Sequence, residues 1–138
     1  MRSFSQAARD AVLEAAREVC LGVARAHGVD AEVTVELGYP VTVNHPSEAA
    51  RVARVARALL GHQRYVEAPN PLPGSEDFSY VLAEIPGAYF GIGATPTDAH
   101  PLSAPYNHSP QARFDDAVLP DAAAMLAALA LDRLADGT

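Results

Sequence analysis

The sequence predicts an α/β protein with a largely parallel sheet, entered through a shorter α+β piece. Two observations point there. From residue 41 onward, short runs that read as strands alternate with helical patterns, the order expected of strands interleaved with helices. The first 40 residues differ: they offer one long amphipathic helix and one amphipathic strand, which is half of a small α+β unit. A piece of roughly 40 residues without a staple falls below the size that folds alone, so residues 1–40 read as incomplete.

Residues 5–27 form the first predicted helix. Val12, Ala16, Val19, Val23 and Ala26 recur at steps of three and four, and Arg9, Asp10, Glu14, Arg17, Glu18 and Arg25 take the wetter positions. Ser5 is placed to cap it, and Gly28 stands where a left-handed terminus is wanted. Ala31, Val33, Val35 and Leu37 then alternate with Glu32, Thr34 and Glu36, a strand with one dry and one wet face, which Gly38-Tyr39-Pro40 ends. Val41-Thr42-Val43 is a short extended run. Ser47 opens a second helix with Val52, Val55, Ala56, Leu59 and Leu60 on one side, and Gly61 closes it.

Tyr65-Val66 reads as a brief strand, and Pro69, Pro71, Pro73 and Gly74 make the next stretch a loop. Ser75 caps a third helix through Glu84, with Phe78, Val81 and Leu82 inward. Residues 88–93 read as a buried strand. A long irregular loop runs from Ala94 to Phe114, and a helix rich in Ala and Leu closes the chain from Asp116 to Leu134.

Composition excludes several functions. The 138 residues carry 17 acids against ten bases, a net charge of −7, so there is no positive field for nucleic acid or an anionic bilayer. Every base is Arg, which excludes a Schiff-base lysine and a phosphate-cradling lysine. One cysteine forms no internal disulfide, and the first residues, Met1-Arg2-Ser3-Phe4-Ser5, lack the apolar core of a signal peptide. With no apolar run of membrane-spanning length, a soluble cytoplasmic protein is expected.

Among residues that could do chemistry, His108 in Asn107-His108-Ser109-Pro110 is the most informative. It lies late in the loop after the strand at 88–93, and ligands of open α/β sheets bind outside the carboxyl ends of strands. Imidazole is the commonest metal ligand near neutral pH, although a loop histidine is more often a plain surface group. His100, in the same loop, is the rival. His27 at a helix C-terminus suits the helix dipole, and His45 and His62 have no partner at metal-ligand spacing. Glu76-Asp77 and Asp115-Asp116 each suit a helix N-terminus, and either pair could also line a pocket or orient a histidine. Cys20 falls among the apolar positions of the first helix and reads as core. No His-Glu-x-x-His pair, Gly-x-Ser-x-Gly elbow or dinucleotide fingerprint occurs, so these residues alone form no complete active site.

Four stretches, in this order, resemble the C-terminal third of a family of metal-dependent amidohydrolases and exopeptidases. The family includes aminoacylases, hippurate hydrolases, auxin-conjugate hydrolases and carboxypeptidase-G-like enzymes. The stretches are Gly38-Tyr39-Pro40-Val41-Thr42-Val43-Asn44, Gly74-Ser75-Glu76-Asp77-Phe78-Ser79, Pro86-Gly87-Ala88-Tyr89-Phe90-Gly91-Ile92-Gly93, and His108-Ser109-Pro110 followed by Phe114-Asp115-Asp116.

The resemblance implies that residues 41–138 are the C-terminal part of a zinc-exopeptidase-like α/β catalytic domain. Residues 1–40 would be the second half of a ferredoxin-like α+β lid and dimerisation domain. It makes His108, rather than His100, a metal ligand, and puts Glu76 and Asp77 near the wall of the substrate pocket without a ligand role. The complete enzyme would use zinc, manganese or cobalt to hydrolyse the amide bond of an N-acyl amino acid or related conjugate.

Family members are much longer, and their other ligands and general-base glutamate have no counterpart here. The chain is therefore expected to be a C-terminal fragment with no catalytic residue of its own. Alone it would be inactive and hold no metal tightly, and it would pair as a homodimer or with a complementing chain. The alternatives are a non-catalytic α/β association module, or a truncated relic with no independent role.

Overall fold

The computed structural model describes residues 1–137, and its contacts group them into two units. One comprises Met1–His45 with Glu67–Ala88, the other Pro46–Val66 with the chain from Tyr89 onward.

The first unit is built on α1, Gln6–Ala26. Ser5 is extended, and its hydroxyl accepts from the Ala8 amide at 3.1 Å, satisfying one of the orphan donors of the first turn. At the other end Gly28 takes φ +70°. The Gly28 amide donates to the Arg25 carbonyl and the Val29 amide to the Ala24 carbonyl, the paired bonds of a Schellman terminus.

The chain then runs from Val29 to His45 without a turn or bend, antiparallel to α1. Two arginines fasten it. Arg9 donates to the Gly38 carbonyl at 3.0 Å and Arg17 to the Val33 carbonyl at 3.4 Å. This sets which helix face is covered. Leu13 and Ala16 are half-buried and Ala24 is buried, whereas Val12, Val19 and Val23, expected inward, stay exposed because no layer covers their side.

The rest of this unit turns around Gly74–Phe78 into α3, Ser79–Glu84. The helix begins four residues later than its expected cap at Ser75. The Ser79 amide donates to the Glu76 carbonyl and the Tyr80 amide to the Asp77 carbonyl, so the first residues form tight i→i+3 turns instead. Tyr39 meets Tyr80 edge to face at 5.9 Å, and the His45 amide donates to the Gly87 carbonyl at 2.9 Å, which docks residues 39–45 on this segment.

The second unit pairs α2, Pro46–Leu60, with α4, Leu119–Ala135. Val55, Ala56 and Met125 are buried between them, with Val52, Tyr65, Phe90, Ala128 and Leu129 packed around. Gly61, at φ +92°, ends α2 and lets a 3-10 turn at His62–Arg64 follow. Ion pairs clasp the same two helices. Arg51 reaches Glu48, Asp132 and Asp136, Arg54 reaches Asp132, and Arg133 reaches Glu48. Hydrogen bonding to Arg54, with Arg51 adding to it, holds the Asp132 carboxyl down at about 2. A 3-10 turn, Asp116–Val118, leads into α4 and is capped by the Asp115 carboxylate accepting from Ala117 at 2.9 Å.

No strand forms among the described residues, so the expected sheet is corrected at 31–37, 41–43, 65–66 and 88–93. The alternation of side chains remains in the sequence, but alternation only prepares a face. A strand also needs a second backbone exchanging N–H and C=O groups with it, and no segment of the described chain does so.

Candidate functional site

His108 stands on a long loop of the second unit, and local bonds give that loop its shape. The Asp115 amide donates to the Ala94 carbonyl at 2.9 Å, and Arg113 pairs with Asp98 at 2.9 Å, so the loop is clasped where it leaves and rejoins the body. Inside it, the Ala99 amide donates to Pro96, and the Ser103 and Ala104 amides both donate to the His100 carbonyl. Prolines at 96, 101, 105 and 110 remove donors and restrict φ, which keeps this stretch out of helix and sheet.

The two histidines of the loop differ. His100 Nδ1 accepts from the Leu102 amide at 3.2 Å. A neutral imidazole accepting at Nδ1 carries its proton on Nε2, so neither nitrogen keeps a free lone pair for a ligand. His108 lies in the turn closed by the Ser109 amide donating to the Tyr106 carbonyl at 2.8 Å. Its ring is exposed, sits 5.4 Å from the Tyr106 ring at an inclination of 54°, and makes no hydrogen bond among the described residues. Ser109 and Gln111 stiffen the next turn, the Ser109 hydroxyl donating to Gln111 Oε1 at 2.7 Å and accepting from its amide at 3.2 Å. Of the two rings, His108 is the one with lone-pair capacity to spare.

Glu76 and Asp77 belong to the first unit. Glu76 is half-buried and Oε1 accepts from the Phe78 amide at 3.2 Å, while Asp77 is exposed. Beside them Ser79 is 1% exposed, with a hydroxyl that has no hydrogen-bond partner. Nothing in the pattern of residues 74–79 marks this serine for burial. Cys20, expected in the core, is exposed, because the side of α1 that carries it is uncovered. An open groove of about 300 Å³ on the α2–α4 pair, lined by Arg54, Val55, Ala58, Leu59, Ala128 and Asp132, contains none of the candidate residues.

Among the described residues, no group of three or more His, Cys, Asp or Glu side chains could hold a metal ion. A stable divalent site takes at least three protein ligands, so the donor set present here does not by itself fit a catalytic metal. His108 offers one ligand.

Residues 4–132 match Peptidase family M20/M25/M40, and the chain belongs to that family. Among curated proteins it is 33% identical over 130 residues to the putative amidohydrolase YhaA of Bacillus subtilis, covering 94% of this chain and 32% of that protein. It is 40% identical over 96 residues to the IAA-amino acid hydrolase ILR1-like 2 of Arabidopsis thaliana, covering 69% of this chain and 21% of the relative. To the N-acetylcysteine deacetylase of Bacillus subtilis it is 32% identical over 131 residues, 95% of this chain and 32% of the relative. The chain thus spans between a fifth and a third of the length of these relatives. No solved structure matches it. No helix among the described residues is long and apolar enough to cross a membrane.

Proposed function

We propose that this chain is the His108-bearing part of an amide-bond hydrolase acting on N-acylated amino acids or related conjugates. The observation that carries the reading is the family match over residues 4–132, with relatives named for hydrolysing such amides. Enzymes of this family are generally metal-dependent, and His108 would supply one ligand to a zinc, manganese or cobalt ion. Its exposure, its uncommitted ring nitrogens and the clasped loop beneath it support that role. Glu76 and Asp77 enter as pocket-lining groups on the resemblance of residues 74–79 alone.

Residues 1–40 are read as the second half of a lid and dimerisation domain, and residues from 41 onward as the C-terminal part of a peptidase-like α/β catalytic domain. The pairing of α1 with the strand-patterned segment 29–38 through Arg9 and Arg17 supports the first assignment. In this reading the remaining ligands and the general base come from other polypeptide, and the chain alone is inactive. Its proposed setting is the cytoplasm, as a homodimer or with a complementing chain.

The test is a chimera that joins the upstream portion of the Bacillus amidohydrolase to this chain, assayed on N-acetyl amino acids with zinc, manganese or cobalt. Hydrolysis is expected, with His108→Ala lowering it by about 100-fold or more, the upper range for losing even a ligand's hydrogen-bond partner. His100→Ala should leave it nearly unchanged. Full activity of His108→Ala would end the ligand assignment. Turnover by the unmodified chain alone would overturn its inactivity. An inactive chimera together with a stable oligomer of the chain would favour a non-catalytic association module.

A further inference from the structure

The loop that carries His108 fixes the backbone of that residue more firmly than its ring. Tyr106 to Ser109 is one turn, closed by the Ser109 amide on the Tyr106 carbonyl at 2.8 Å, with Asn107 and His108 as its central residues. Ser109 to Ala112 is the next, closed by the Ala112 amide on the Ser109 carbonyl at 3.0 Å. Ser109 belongs to both, and Pro110 after it biases Ser109 toward extended backbone. Two joined turns therefore decide where the His108 Cβ points, and rotation about its side-chain bonds is the freedom that is left.

A metal-ligating histidine ordinarily loses that freedom through a hydrogen bond from its second ring nitrogen to a carboxylate or carbonyl. His108 makes no such bond among the described residues. What its ring does meet is the ring of Tyr106, with centroids 5.4 Å apart and planes inclined by 54°. Tyr106 is 73% exposed, and its hydroxyl bonds nothing among the described residues, so the aromatic contact is what its side chain contributes. Tilted rings at this spacing attract through their complementary charge distributions, which biases a side chain toward one arrangement by about two- to tenfold. His100, in the same loop, shows the other solution: the Leu102 amide fixes its Nδ1, which orients the ring by consuming a nitrogen. An aromatic neighbour orients a ring and consumes none.

We infer that Tyr106 is a positioning residue for His108: its ring, set by the same turn, holds the imidazole in one orientation and leaves both ring nitrogens open. The inference rests on the reading of His108 as the working imidazole of the site, and it is independent of the identity of the substrate.

The test is made on the full chain by NMR, and by kinetics on the chimera with the upstream portion of the Bacillus amidohydrolase. In the chain, side-chain couplings of His108 should report one dominant rotamer, with ring protons shifted by the neighbouring aromatic ring. Tyr106→Leu is expected to abolish that shift and to lower the preference for the rotamer by about two- to tenfold. Tyr106→Phe should restore both, because the ring and not the hydroxyl makes the contact. Both residues are exposed, so circular dichroism should show the same helix content in all three chains. A rotamer distribution unchanged by Tyr106→Leu, or already averaged in the unmodified chain, would overturn the inference whatever the chimera does. In an active chimera, Tyr106→Leu should lower kcat about two- to tenfold with KM nearly unchanged, since the imidazole spends less time in its working orientation, and Tyr106→Phe should keep kcat. A loss confined to KM would overturn the inference by making Tyr106 a substrate contact. An equal kcat loss in Tyr106→Phe would overturn it by making the hydroxyl a catalytic group. A chimera inactive in every form sinks the hydrolase reading instead, and the rotamer measurement in the chain still decides whether Tyr106 positions His108.

Discussion

Ser79 is the residue whose environment and chemistry disagree most. It is enclosed at the first position of α3, and nothing bonds its hydroxyl. An orphaned buried hydroxyl costs roughly 1–3 kcal/mol, so Ser79→Ala should leave stability unchanged or raise it by up to about 1 kcal/mol in a urea titration. A loss of more than that would show that the hydroxyl has a partner in solution. Gly28 makes the opposite case. Its φ of +70° ends α1 by a terminus that a side chain resists, and Gly28→Ala should cost about 1 kcal/mol, read as fraying of α1 in circular dichroism. Gly28 was legible in the sequence, because a glycine after a 3.6-period run has one common use. Ser79 was not: burial depends on what folds over a residue, and nothing in 74–79 states that.

At the level of elements, the helices were readable and the strands were readable only as candidates. The apolar steps of α1, α2 and α4 place these helices within a few residues of where they form. A helix closes its hydrogen bonds within itself, so its own residues suffice. Residues 31–37 and 88–93 carry equally clear patterns and form no strand, since a ladder needs a partner that pattern cannot supply. The candidate site divides in the same way. The position of His108 in the loop could be read, whereas the clasp of Arg113 on Asp98, 15 residues away through irregular chain, follows no periodicity.

Two expectations belong to this scale. Asp98→Asn should loosen the loop, seen as faster amide exchange at Ser109 and Ala112, with little change in overall melting because the pair is exposed. The α2–α4 pair should also weaken in acid. Arg54 and Arg51 hold the folded Asp132 carboxyl near 2, below its ordinary value of 3.8. Its contribution is therefore complete above about pH 4 and lost as pH falls through about 2, where the unfolded chain takes up the proton first. Melting followed by circular dichroism should fall across that window, and Asp132→Asn should flatten the fall.

For the molecule as a whole, burial is sparse. Among the described residues the buried apolar set is Ala24, Ala53, Val55, Ala56 and Met125, mostly small side chains. Stabilisation of about 25 cal/mol per Å² of apolar surface gains little from alanines, so the chain alone should be marginally stable. The expected signature is binding of a hydrophobic dye, with fast amide exchange over residues 29–43 and slower exchange confined to the facing sides of α2 and α4. Protection of 31–37 equal to that of α4 would contradict this picture and reveal a ladder formed by self-pairing.

The clasp between α2 and α4 has a bearing on how the chain is made. Arg51 bonds Asp136 and Asp132 across 85 and 81 residues. During translation α2 leaves the ribosome long before those carboxylates are synthesised. Until α4 follows, Arg51 keeps only Glu48 of its own helix as partner and the Val55–Ala56 surface has no lid, so this helix pair forms late in synthesis and the nascent chain is most open to chaperones in that interval.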